Sequence, residues 1–252
     1  LYYAYFQGPD WGYRKRDFGP LERGLTELRV LVFYLSLVIA PAPARLSIHH
    51  AFPLSRGWLD PPSTLASGLL LLAIAAAAAA AARRLRWLSF GLLWFFLHHA
   101  LESSILPLEL AYEHRNYLPL VGLCGAFAWG LAWLAQRLAL PRALCASTAL
   151  LLALALSSAT ARRIEVWLDD ESLWRDAVEK APGETRPLHN LAVALAGKRR
   201  FVQAISIYER VLRSDPEHTD ARRNLGAALL HQGRPAEALP MLEQAQRAAP
   251  EN

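Results

Sequence analysis

Cysteine is almost missing from these 252 residues; Cys124 and Cys145 are the two it has. Two such residues build no disulfide framework and read as small apolar side chains, and no Cys/His run has metal-site spacing. No glycine-rich stretch has the form of a phosphate-binding loop, and no Ser, His and Asp stand in the order of a nucleophilic triad. Neither a metal nor a cofactor is expected. The most telling absence is charge. Thr64–Ala82, Tyr117–Ala135 and Ala143–Ala161 are each 19 residues long without a formal charge. As helices each reaches about 28 Å, close to the hydrocarbon thickness of a bilayer. Trp87–Leu108 is apolar apart from His98, His99 and Glu102. Leu25–Ala44 is a fifth candidate, with Glu27 and Arg29 near its start and Pro41 and Pro43 near its end. Several such runs in so short a stretch argue against buried helices of a soluble protein.

The net charge of +5 belongs entirely to this apolar part, because residues 162–252 carry 14 basic and 14 acidic side chains. The basic residues fall in short clusters between apolar runs, a pattern of membrane topology and not of nucleic-acid binding. Arg14, Lys15, Arg16 and Arg23 precede the first run. Arg83, Arg84 and Arg86 separate the second and third, and Arg137 and Arg142 the fourth and fifth. The alternate loops carry Arg45, Arg56 and Arg115. The first set is expected on the cytoplasmic side, which places the tail on the far side, the periplasm of a bacterium. If the first candidate lies in the interface, the N-terminal stretch changes sides and the later assignments stand. The chain starts at Leu1 without a signal peptide, and Leu1–Tyr13 is aromatic-rich like an interfacial belt. It is therefore expected to be the C-terminal part of a longer membrane protein.

The tail has a period. Pro182, Pro216 and Pro250 are each 34 residues apart, as are Trp174, Tyr208 and Leu242, and Leu191/Leu225, Ala192/Gly226, Leu195/Leu229 and Ala204/Ala238 follow suit. Small residues where two helices cross, large apolar ones between them and a closing proline make up the tetratricopeptide (TPR) pattern, a binding scaffold. Asp169 and Asp170 suit a helix N-terminus, and Leu173, Trp174, Ala177 and Val178 form an apolar stripe behind them. The expected organisation is an all-α chain: a transmembrane helical domain over 1–163 with four or five spans, a linker and half repeat over 164–184, and a TPR α-solenoid of two repeats over 185–252. Breaks near Gly197 and Gly233 divide the helices of each repeat. Asn190 and Asn224 occupy equivalent repeat positions where an amide can bond a bound peptide backbone or simply belong to the helix surface.

Two polar clusters interrupt the apolar part. Glu113-His114-Arg115-Asn116-Tyr117-Leu118-Pro119 sets a carboxylate, an imidazole and a guanidinium at the outer mouth of the fourth span. Guanidinium grips phosphate oxygens in a fork, so Arg115 with His114 could hold the phosphate of a lipid-linked substrate. Simple anchoring of a helix end is the plainer reading. In His98-His99-Ala100-Leu101-Glu102, His98 and Glu102 are four apart and share a helix face. Ionisable groups in a span face a cavity or one another, so a His–Glu bond or a cavity lining is expected. His49 and His50, in the loop from Ser47 to Arg56, belong to the same outer side.

Thr26-Glu27-Leu28-Arg29-Val30-Leu31, Glu102-Ser103-Ser104, Pro107, Glu113-His114-Arg115-Asn116-Tyr117-Leu118-Pro119 and Trp167-Leu168-Asp169-Asp170-Glu171-Ser172-Leu173-Trp174 lead in that order into the repeats. The series resembles the bacterial relatives of the transmembrane-and-TPR O-mannosyltransferases, from about Arg23 onward. The resemblance implies a C-type glycosyltransferase membrane fold and transfer of a sugar from a polyprenyl-phosphate donor to a protein acceptor on the outer face. It implies that Arg115 and His114 contact the lipid phosphate, that His98, Glu102 and Glu113 line the cavity, and that the repeats hold the acceptor or a partner protein. The catalytic acid of that fold lies in a first outer loop that this stretch does not contain. The relatives tend to carry an acidic residue where this chain reads His49-His50-Ala51. The alternative is a membrane-anchored, non-enzymatic TPR adaptor of an envelope complex.

Overall fold

The computed structural model describes residue 13 and residues 17–104, 106 and 108–248. The belt at Leu1–Tyr13 (Tyr13 excepted), the cluster Arg14–Arg16, Pro107 and Pro250 lie outside the described residues. Within them the chain is all-helical. The helices are α1 (Pro20–Ile39), α2 (Ser63–Ala81), α3 (Arg86–Glu102), α4 (Tyr117–Arg137), α5 (Arg142–Val166), α6 (Asp170–Lys180), α7 (Thr185–Gly197), α8 (Phe201–Ser214), α9 (Thr219–His231) and α10 (Pro235–Ala248). They form two compact units, residues 1–46 with 52–159 and residues 47–51 with 160–252.

α2, the stretch Glu113–Arg137 and α5 are each long and apolar enough to cross a membrane. α3 has the same character but 17 residues. α3 and α4 meet closely because glycine permits it. A Cβ on Gly91 would come within 2.5 Å of the Gly122 carbonyl oxygen and 2.6 Å of the Ala126 Cβ. Such small-residue contacts are how helices pack where lipid removes the hydrophobic drive.

α1 departs from the first topology drawn from the arginines. It begins with Pro20 in its first turn, and the Gly19 N–H donates to the Glu22 carboxylate at 2.8 Å. Arg23 in that turn bonds the 102–109 loop, and Tyr34, three turns on, bonds Tyr112. These points lie about 16 Å apart along the helix, yet both touch the same end of the bundle. Thr26 is also tied through Ser55 to Thr64, at the start of α2. α1 therefore lies across this end, and Arg23 belongs with Arg115 and not with Arg83–Arg86. The reason is pairing: Glu27 and the loop carbonyls satisfy Arg23 where water would otherwise have to.

The second unit is built by the 34-residue period. Asp169 caps α6 by accepting from the Ser172 N–H at 3.0 Å. Arg163, near the end of α5, donates to Asp176 at 2.8 Å. Leu188, Leu191, Ala192, Leu195, Ala204, Tyr208 and Val211 are buried together with Leu225, Leu229 and Ala238, the counterparts of Leu191, Leu195 and Ala204, and with Ala221 and Ala228. Ala192, Ala204 and Ala238 have no exposed surface at all, as expected where helix backbones cross. The turns between paired helices put Arg199 and Gly233 at positive φ, 58° and 70°. These two residues are themselves 34 apart.

Candidate functional site

The polar end of the first unit is organised by two arginines. Arg23 is fully buried. Its guanidinium donates to the carbonyl oxygens of Glu102 at 2.8 Å, Ser104 at 3.0 Å and Leu108 at 2.5 Å, and stands 2.8 Å from the buried Glu27 carboxylate. The rigid guanidinium fork thereby shapes the loop that leads from α3 toward α4.

Arg115 sits in a short 3₁₀ turn, Glu113–Asn116, just ahead of α4. It donates to the Glu109 carbonyl at 2.7 Å, its Nε lies 3.6 Å from a Glu102 oxygen, and its plane rests 5.2 Å from the Tyr112 ring centre. The guanidinium has five N–H donors, so these contacts orient it while leaving donors for a ligand. His114 is exposed and stacks on the same Tyr112 ring at 5.0 Å. Tyr112 is in turn pinned to α1: its N–H donates to the Tyr34 hydroxyl at 2.8 Å, and that hydroxyl donates to the Tyr112 carbonyl. Glu113 is half-buried at the head of the turn.

The geometry joins Glu102 to Arg115 and not to either histidine. His98 and Glu102 share a face by spacing, but His98 Nδ1 is 2.9 Å from the Trp94 carbonyl and its ring lies on Trp94. His99 is buried, 3.2 Å from the Asn116 side chain and stacked on Tyr34. A carboxylate at the end of α3 gains most from a guanidinium, which offers a permanent charge and a fork of donors. Sequence reasoning missed Arg23 and Glu27 as parts of this end. The i,i+4 spacing of that pair was the available signal.

In the second unit Asn224 lies on a groove of about 560 Å³, together with Val193, Phe201, Tyr208, Ala227 and His231. Its amide is 3.3 Å from His189 Nε2 and bonds the Tyr208 hydroxyl, which burial pushes up to about 12. Asn190 bonds the same imidazole. Both asparagines thus have internal partners, and of the two Asn224 lines the groove while Asn190 does not. An amide offers two donors and two acceptor sites, so each keeps capacity for a bound backbone. His49 stands 3.4 Å from Glu184 within this unit.

Residues 189–252 match the tetratricopeptide repeat family. Protein O-mannosyl-transferase TMTC1 of Mus musculus is 37% identical over 108 residues, which are 42% of this chain and 11% of that protein. Its Homo sapiens counterpart is 36% identical over 108 residues, 42% of this chain and 12% of the protein. Protein O-mannosyl-transferase Tmtc2 of Drosophila melanogaster is 33% identical over 104 residues, 41% of this chain and 11% of the protein. The chain therefore spans a small part of the relatives it matches. It carries tetratricopeptide repeats and apolar helices compatible with a membrane protein, and over about two fifths of its length it is similar to protein O-mannosyl-transferases.

Proposed function

We propose that this chain is the substrate-holding, C-terminal part of a membrane glycosyltransferase, taking a sugar from a polyprenyl-phosphate donor to a protein acceptor. The observation that carries the reading is Arg115. It is a guanidinium oriented by Glu102, the Glu109 carbonyl and Tyr112 at the polar end of an apolar bundle, in a chain similar to protein O-mannosyl-transferases. In this reading Arg115 and His114 take the lipid phosphate, and His98, Glu102 and Glu113 border its cavity. Asn190 and Asn224 face a segment of the acceptor or of a partner protein. The protein sits in a bacterial inner membrane with its repeats in the periplasm.

The test is Arg115→Ala in the full-length protein. Losing a bidentate phosphate contact is expected to lower sugar transfer from polyprenyl-phosphate donor at least a hundredfold while membrane abundance stays unchanged. Transfer at the normal rate would overturn the role of Arg115 and favour the adaptor. An adaptor would tolerate that change and fail instead when Asn190 and Asn224 are replaced.

A further inference from the structure

A second feature of the first unit lies away from Arg115. Between α3 and α4 runs a groove of about 410 Å³, walled by Trp87, Phe90, Trp94, Val121 and Trp129 and floored by Gly125. The tight Gly91–Gly122 approach holds the two helices together beside it. At Gly125 an added Cβ meets nothing within 4 Å, so the floor is open space and not a packing contact. From Val121 to Trp129 the groove extends about 12 Å along the helix, with aromatic rings on both sides. That is a slot for a hydrocarbon chain.

One end of the slot is strongly cationic. Trp87 follows Arg86 directly, with Arg83 and Arg84 in the preceding turn. Trp129 lies two turns before Arg137, whose guanidinium stands 5.4 Å from the Trp133 ring centre, and Arg142 opens the next helix. All five arginines are exposed. No Asp or Glu occurs between Asp60 and Glu102, or between Glu113 and Glu165, so no acidic side chain of these segments offsets them. A topology signal alone accounts for arginines outside a span. It does not account for an aromatic slot that ends at them.

We infer that this groove binds an anionic phospholipid, with an acyl chain between Trp94 and Trp129 and the phosphate headgroup among Arg84, Arg86 and Arg137. The inference rests on reading α2–α5 as membrane-embedded and is independent of the role given to Arg115. Charge selects the occupant. A zwitterionic lipid offers the same chain but gains less from the cationic rim, and basic pockets between membrane helices are where anionic headgroups settle.

The test uses the full chain in phosphatidylcholine vesicles that contain a lipid with brominated acyl chains, which quench tryptophan on contact. Brominated phosphatidylglycerol is expected to quench several-fold more effectively than brominated phosphatidylcholine at equal mole fraction. In the variant Arg84→Ala/Arg86→Ala/Arg137→Ala the two lipids should become equivalent. Gly125→Leu fills the slot without a backbone clash and should weaken quenching by both. Equal quenching by the two lipids in the unaltered chain overturns the inference, as does a preference that survives loss of the arginines. Displacement of the brominated phosphatidylglycerol by a polyprenyl phosphate at lower mole fraction than by ordinary phosphatidylglycerol assigns the groove to the donor lipid and also overturns it. Failure of any of these arms leaves sugar transfer by Arg115 to be judged by its own variant.

Discussion

Arg23 ties several segments together at the polar end of the first unit. It is fully buried, paired with buried Glu27, and satisfies carbonyl oxygens of Glu102, Ser104 and Leu108. Breaking a buried pair by removing one partner strands the other charge, at about 3–5 kcal/mol. Arg23→Met is expected to destabilise the protein by that amount, measured as loss of thermal stability in detergent. Arg23→Met/Glu27→Leu removes the stranded carboxylate but leaves the loop carbonyls without a donor, and each such group costs about 1–3 kcal/mol. The double variant should therefore recover part of the loss and not all of it. Full recovery would mean that the loop is held by something other than the guanidinium.

At the scale of the element, the turns inside the two repeats share a backbone conformation but not a residue type. Gly233 closes the turn between α9 and α10 at φ 70°, and the residue in the same phase of the first repeat is Arg199, at φ 58°. An L side chain in the left-handed region costs about 1 kcal/mol or more, whereas glycine adopts it without penalty. Arg199→Gly is expected to stabilise the second unit by about 1 kcal/mol, and Gly233→Ala to destabilise it by a similar amount, read from denaturant midpoints. Unchanged midpoints would show that the turns relax.

These turns also show what a sequence can reveal. The helices of the repeats were legible because small and large residues recur every 34 positions, and burial follows that recurrence. The strained position was not, since Gly197 drew attention two residues before the residue that takes positive φ. The candidate site divides in the same way. Arg115 and Glu102 stand out as charges flanking apolar runs. Arg23 looks like a topology signal until the loop around it is seen, and the His99–Asn116 contact joins residues 17 apart in different elements. Partnership across elements leaves no local pattern to read.

At the scale of the whole chain, each unit has its own buried cluster, and two groups in the second unit make it sensitive to acid. His189 is held below its ordinary value of 6.5, first by burial and then by His218 stacked on it at 4.8 Å. Glu171 is pulled down to about 2 by Lys198, Arg175 and Arg200, of which Lys198 and Arg200 tie α6 to the turn between α7 and α8. In both cases the native unit binds fewer protons than the unfolded chain, so stability rises with pH across the interval between the two values. For His189 the stabilisation is complete above about 6.5 and is lost as pH falls through its depressed native value. For Glu171 it is complete above about 4.5 and is lost on the way down to about 2. Thermal unfolding of the chain in lipid nanodiscs is therefore expected to show two transitions. The one that belongs to the repeats, identified by its response to Arg199→Gly, should move to lower temperature in two steps as pH falls. His189→Gln removes the titrating group while leaving an amide near Asn224, and should flatten the upper step without touching the lower one. A single transition that takes both units together, or an upper step unchanged by His189→Gln, would show that the two clusters do not melt separately or that the imidazole is not the group that titrates.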